Sequence, residues 1–176
     1  MHPAPSTLET ALLGLLARGP ASGYELRRIF QSTPLATYSD SPGAVYPALR
    51  RLERRGFATP RAASGARRRQ PWQLTAAGRA WLQRWIQRSV TVEAVAGDVS
   101  AVDLQLALIS TVTPDRLRPF LGEYAAAVEN HLESLTASTA KLAGVLPPSA
   151  ARALDLGVHL FRARSAWCHR AARELA

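Results

Sequence analysis

The sequence predicts a mostly α-helical chain with one small β-hairpin, divided into an N-terminal part over residues 1–90 and an all-helical part over residues 91–176. Apolar residues recur at three- and four-residue spacing through most of the chain, and two successive S-x-x-E boxes open helices near its start. One pair of short extended segments interrupts this pattern, around an arginine-rich tip at 64–69. With 176 residues and 47% hydrophobic content, the chain can bury a substantial core.

Ser6 and Glu9 form the first capping box, Leu8, Leu12, Leu15 and Leu16 supply an apolar face, and Gly19-Pro20 ends the helix. Ser22 and Glu25 repeat the box at once, with Leu26, Ile29 and Phe30 on the apolar face of a second helix. Ser41-Pro42-Gly43 reads as the opening of a third helix reaching Arg55, with Gly56 as its C-terminal cap. Val45, Leu49 and Leu52 form its inner face, while Arg50, Arg51, Arg54 and Arg55 lie to the sides and back. Pro47 is out of place in a helix interior because it lacks an N–H, but a start near Gly43 puts it within the first two turns. Residues 57–62 and 70–74 form the hairpin, and Pro71 belongs at a strand edge or end. Thr75 caps a fourth helix bearing Trp81, Leu82, Trp85 and Ile86.

In the second half a short helix opens near Ser100 with Val102, Leu104, Leu106, Leu108 and Ile109. Thr113-Pro114-Asp115 starts a long one striped by Leu117, Phe120, Leu121, Tyr124, Val128, Leu132, Leu135 and Leu142. Pro147-Pro148-Ser149 breaks it and opens a final helix with Leu154, Val158, Phe161 and Trp167. Two such faces joined by a short break exceed what they can hide from each other. Leu121, Tyr124, Val128, Leu132, Leu135, Leu154, Val158, Phe161 and Trp167 are therefore expected to meet a second copy in a homodimer.

Charge is distributed unevenly. Fourteen arginines against Glu9, Glu25, Asp40 and Glu53 leave residues 1–90 at +10, whereas eight cations against nine acids leave residues 91–176 at −1. An excess confined to one part suits phosphate neutralisation, although an anionic membrane surface would also attract it. Every cation except Lys141 is Arg, whose planar fork can hold a phosphate or a guanine edge with two bonds.

Other classes are disfavoured. The single Cys168 excludes an intrachain disulfide, residues 1–5 lack the regions of a signal peptide, and no apolar run is expected to span a bilayer, so the expected compartment is the cytoplasm. His159 and His169 have no partner at metal-ligand spacing, and no metal or cofactor is expected. Cys168 and His169, as helix neighbours about 100° apart, do not face each other, so a buried inert thiol is expected. With no phosphate loop and no acid/base pair, the chain does not read as an enzyme.

Helix, turn, helix, third helix, basic hairpin and fourth helix is the layout of a winged helix-turn-helix, in which a helix enters the major groove and the hairpin tip tracks the backbone or minor groove. Here those two elements are the arginine-rich ones. Leu13-Gly14-Leu15-Leu16, Ser22-Gly23-Tyr24-Glu25-Leu26, the run from Ser41 through Val45-Tyr46-Pro47-Ala48-Leu49-Arg50-Arg51-Leu52-Glu53 to Gly56, and Leu74-Thr75-Ala76-Ala77-Gly78 resemble the PadR family of bacterial transcriptional regulators over residues 6–88. The helical half is similar to the longer branch of that family, whose C-terminal domain makes a homodimer. Pro71-Trp72 departs from the family's usual aromatic pair.

The resemblance implies a DNA-binding regulator, a repressor on a pseudo-palindromic operator. Candidate groove contacts are Ser39, Ser41, Gly43, Tyr46, Pro47, Arg50 and Arg51, with Arg67, Arg68 and Arg69 on the flanking backbone. Tyr46 reads equally as a DNA contact and as a brace between the third helix and the second. Tyr24 reads as packing, and Arg54 and Arg55 as a solvated face. Trp81 and Trp85 share a face and either pack or line a site for a small aromatic effector. The alternative function is a winged-helix protein-interaction module or assembly adaptor whose basic surface meets an acidic protein.

Overall fold

A computed structural model describes residues 4–33, 35, 43–61, 70–142 and 144–174. The elements run α1 (Thr7–Ala17), β1 (Ala21–Ser22), α2 (Gly23–Ser32), α3 (Val45–Arg54), β2 (Ala58–Pro60), β3 (Pro71–Leu74), α4 (Ala76–Ile86), α5 (Val92–Val112), a 3-10 turn (Pro114–Arg116), α6 (Leu117–Lys141) and α7 (Pro148–Glu174). They fall into two compact units, one of residues 1–88 and 107–114, the other of residues 89–106 and 115–176.

In the first unit both expected capping boxes are present. The Glu9 amide donates to Ser6 Oγ and the Ser6 amide to the Glu9 carboxylate, and Ser22 and Glu25 do the same at α2. The core gathers Leu12, Leu13, Leu26, Leu49, Leu52, Leu82, Ile86 and Ile109, all fully buried. Gly56 ends α3 at φ +71, a left-handed conformation that any Cβ would strain. Thr75 then does two jobs: its hydroxyl donates to the Gly56 carbonyl at 2.6 Å and accepts from the Gly78 amide at 3.0 Å. The end of α3 and the start of α4 are thereby tied at one side chain.

The hairpin pairs β2 with β3 antiparallel, Ala58 opposite Leu74 and Pro60 opposite Trp72. A third strand, β1, pairs with the other side of β3, Ala21 opposite Trp72, making the order β1-β3-β2. Pro71 stands first in β3, where a missing donor is tolerated.

In the second unit α5 is interrupted at Asp98, whose φ of −149° and ψ of 76° are not helical. The Asp98 carboxylate accepts from the Ala101 amide at 3.2 Å and so caps the second segment, two residues before the start expected at Ser100. By length and composition, Val92–Val112 is long and apolar enough to cross a membrane, contrary to the expectation that no run would be; a core helix passes the same test. Its break at Asp98 and the ion-paired Asp103 are features of a packed helix.

α6 and α7 pack antiparallel. The His131 and Phe161 rings meet edge to face at 4.5 Å, and Leu135 lies beside Gly157. This pairing covers, within the chain, part of the surface expected to meet a second copy. Leu121, Tyr124, Val128 and Val158 are buried within the chain itself, and Leu132, Leu135, Leu154 and Phe161 are half-buried. The exposed apolar residues of α7 are Leu156 at 59%, Leu160 at 60% and Trp167, one of those expected at the dimer surface, at 40%, spaced four and seven residues apart.

Candidate nucleic-acid interface

The helix expected to read DNA has a sharp division of faces. Val45, Ala48, Leu49 and Leu52 are fully buried, whereas Tyr46, Pro47, Arg50 and Arg54 are exposed along a single outward stripe, with the exposed Gly43 just before them. The helix begins at Val45, later than the Ser41-Pro42-Gly43 opening expected, with Ala44 before it and no side-chain cap bond. Pro47 is therefore the third helical residue, among the four whose N–H has no partner within the helix; the bond from the Ala48 amide to the Ala44 carbonyl, at 3.1 Å, follows directly after it. Its place in the helix forfeits nothing. Ser39, Ser41, Arg67, Arg68 and Arg69 lie outside the described residues.

Of the two roles open for Tyr46, its packing is that of a brace between α3 and α2. Its ring lies flush on Gly23, where an added Cβ would come within 2.5 Å of Cε1, so a glycine at the start of α2 admits the aromatic brace. The residue nevertheless remains 52% exposed. Arg50 sits over the Trp72 ring, 5.4 Å from its centroid, and its Nη1 donates to Glu53 Oε2 at 2.9 Å, with the side chain 61% exposed. Trp72, buried in the sheet, thus serves as a platform that holds an exposed guanidinium. Ser22, Gly23, Tyr24, Tyr46, Arg50, Gln70 and Trp72 line a cleft of about 350 Å³. Tyr24, expected to pack, is 47% exposed at its rim.

Arg51 is placed differently from its outward neighbours. Its Nε donates to Glu9 Oε1 at 2.5 Å, and Arg55, expected on a solvated face, donates from Nη1 to Glu9 Oε2 at 2.6 Å with its side chain 13% exposed. The long-range partner Glu9 was invisible in a sequence where it already served as a capping residue. Gln70 and Trp72 were missed because strand spacing does not show which helix crosses it.

Trp81 and Trp85 form a stack with Phe57, with centroids at 5.9 and 6.3 Å, within the range of packed aromatic pairs. The rings face one another. In the helical unit a groove of about 420 Å³ is lined by Asp103, Leu106, Leu160, Arg164 and Trp167. At its polar end Asp103 Oδ1 accepts from the Tyr124 hydroxyl at 2.6 Å and from Arg164 Nη1 at 2.5 Å, and Arg164 also reaches the Tyr124 oxygen. Burial, then the Asp103 carboxylate, push the Tyr124 hydroxyl well above the ordinary phenol range. Burial likewise pushes the Cys168 thiol up to about 11, which disfavours the reactive thiolate. Among the described residues no group of three or more His, Cys, Asp or Glu could hold a metal ion.

Comparison with known proteins adds a family to this geometry. Residues 12–84 match the family described as transcriptional regulator PadR-like. The transcriptional regulator YqjI of Escherichia coli is 32% identical over 76 residues, which are 43% of this chain and 36% of that protein; the chain thus spans about a third of this relative's length. Among solved structures, Bacillus subtilis PadR in complex with operator DNA aligns over 95% of this chain and 97% of its own at 22% identity, with a TM-score of 0.44. The same protein in complex with p-coumaric acid aligns over 98% and 97% at 21% identity and 0.45. The PadR-like regulator BC1756 of Bacillus cereus aligns over 100% and 99% at 19% identity and 0.45.

Proposed function

We propose that this chain, whose residues 12–84 match the PadR-like family of transcriptional regulators, is a homodimeric repressor that binds a pseudo-palindromic DNA operator. The observation that carries this reading is the outward stripe of Tyr46, Pro47, Arg50 and Arg54, with the exposed Gly43 just before them, on a helix otherwise anchored in the core. A helix of this kind fits the major groove. Its exposed guanidinium, held over Trp72, can reach a phosphate or the O6/N7 edge of guanine, and the Tyr46 hydroxyl can donate to a phosphate oxygen. Arg67, Arg68 and Arg69 would follow the flanking backbone.

A second copy supplies the other half. The exposed Leu156, Leu160 and Trp167 of α7 provide an apolar face for it, and two-fold symmetry in the protein calls for matching half-sites in the DNA. Occupancy of such a site in the cytoplasm blocks transcription. A small aromatic effector would release the DNA by changing the separation of the two reading helices. The groove beside Arg164 and Trp167 has the size of a small-molecule site.

The test is a gel shift with genomic fragments enriched by the full chain, run across a salt series. We expect specific retention that weakens steeply with salt, and its loss when Arg50→Ala is combined with serine at positions 67, 68 and 69. Unchanged retention by this variant would remove these residues from the interface.

A further inference from the structure

Glu9 is 1% exposed, yet its carboxylate serves three partners: Oε2 accepts from the Ser6 amide at 3.1 Å and from Arg55 Nη1 at 2.6 Å, and Oε1 accepts from Arg51 Nε at 2.5 Å. The capping box does not need a charge, since Gln at this position closes it equally well. Burying a carboxylate is unfavourable unless it is paired, so the acid is explained by the two guanidiniums rather than by the cap.

Those guanidiniums have a telling position. Helix α3 carries two rows of arginine at four-residue spacing, Arg50 with Arg54 and Arg51 with Arg55, and successive residues are turned by about 100°. The first row lies on the exposed stripe with Tyr46. The second is tied to Glu9 of α1, with the Arg55 side chain 13% and that of Arg51 41% exposed.

We propose that Glu9 is the positioning residue of the DNA-reading face. By gripping the Arg51 and Arg55 row it fixes the rotation of α3 about its own axis and keeps two cations away from the phosphates. Sequence choice is then left to the row containing Tyr46 and Arg50. Free arginines at the same place would add attraction that every duplex shares, raising affinity without discrimination. This inference rests on the DNA-binding reading above.

The experiment uses the full chain, a duplex that the wild type itself enriches from a randomised library, and a scrambled duplex of equal length. Binding is followed by fluorescence anisotropy over a salt series, with circular dichroism melts to verify folding. E9Q retains a capping side chain and loses the charge. Its dependence of log affinity on log salt should steepen by about one to two, at about 0.9 for each added phosphate contact. Its preference for the enriched duplex should fall about tenfold, the size of one mismatched base pair. In E9Q/R51Q/R55Q the salt dependence should return to that of the wild type while the preference stays low.

A folded E9Q with wild-type salt dependence and preference overturns the proposal. Should E9Q fail to fold, the triple variant, which leaves no guanidinium unpaired against α1, decides: retained preference overturns the proposal and lost preference supports it. A wild-type chain that enriches no duplex sinks the DNA-binding reading and this inference together, whereas enrichment without an effect of Glu9 sinks the inference by itself.

Discussion

Arg50 and Arg164 are chemically the same residue put to opposite uses by the two units. In the N-terminal unit Arg50 is laid over an aromatic ring with its side chain 61% exposed, whereas in the helical unit Arg164 is turned inward to Asp103 and Tyr124 with 29% exposed. Arg116 resembles Arg164: it donates to Glu123 at 2.7 Å and is 16% exposed. The contrast teaches that an excess of positive residues is only a first indication of an interface, since the same side chain can be held out or turned inward. Even at the end of α3, Arg55 follows the inward pattern at 13% exposed, while Arg51, bonded to the same Glu9 carboxylate, lies between the two at 41%.

Matched substitutions can break or sharpen this contrast. The largest effect on stability is expected from R164Q, which takes the guanidinium away from Asp103 and Tyr124 and leaves the carboxylate–hydroxyl pair only the hydrogen bond between them. It should cost about 1–3 kcal/mol, a fall in Tm of at least about 2 °C, with no change in the salt dependence of DNA binding. R50Q should do the reverse: a thermal melt within about 1 kcal/mol of wild type, since one partly exposed cation–ring contact is lost, and a salt dependence shallower by about 0.9. If the two variants gave the same pattern, the division between inward and outward arginines would fail.

The smallest effect concerns pH. The hydrogen bond from Arg116 lowers the Glu123 carboxyl below its ordinary 4.5, with the Val90 amide adding to it against the opposing effect of burial. A depressed carboxyl contributes stability above its unfolded value and loses it as pH falls through the folded one. Wild type should therefore melt above E123Q at neutral pH, and the gap should begin to close below 4.5 in melts at stepped pH. A gap that widened in acid would contradict the pairing.

Much of the first unit was legible because its signals are local. Ser6 with Glu9, Ser22 with Glu25, Thr75 and Gly56 each act within four residues of the element they cap, so sequence spacing shows them directly. The strand β1 was not legible: two residues have no periodicity, and Ala21–Ser22 becomes a strand only because β3 passes beside it. For the long helices, periodicity revealed an apolar face but not what covers it. Tyr124 and Val128 are covered by their own chain, while Leu160, off the expected stripe, is exposed. The site was half readable for the same reason. Tyr46 and Arg50 follow from helix spacing, whereas the Trp72 platform and the Glu9 clamp depend on residues 22 and 42 positions away.

Pro47 has a consequence for how binding is initiated. A ring-locked φ at the third residue of α3 narrows the conformations open to the unfolded chain and commits the leading turn of the reading helix to one path. The entropy of ordering that turn is therefore largely settled when the domain folds. On the proposed reading, DNA would meet a surface already in shape, and the free energy of each groove contact would go into affinity instead of into assembling the helix that makes it.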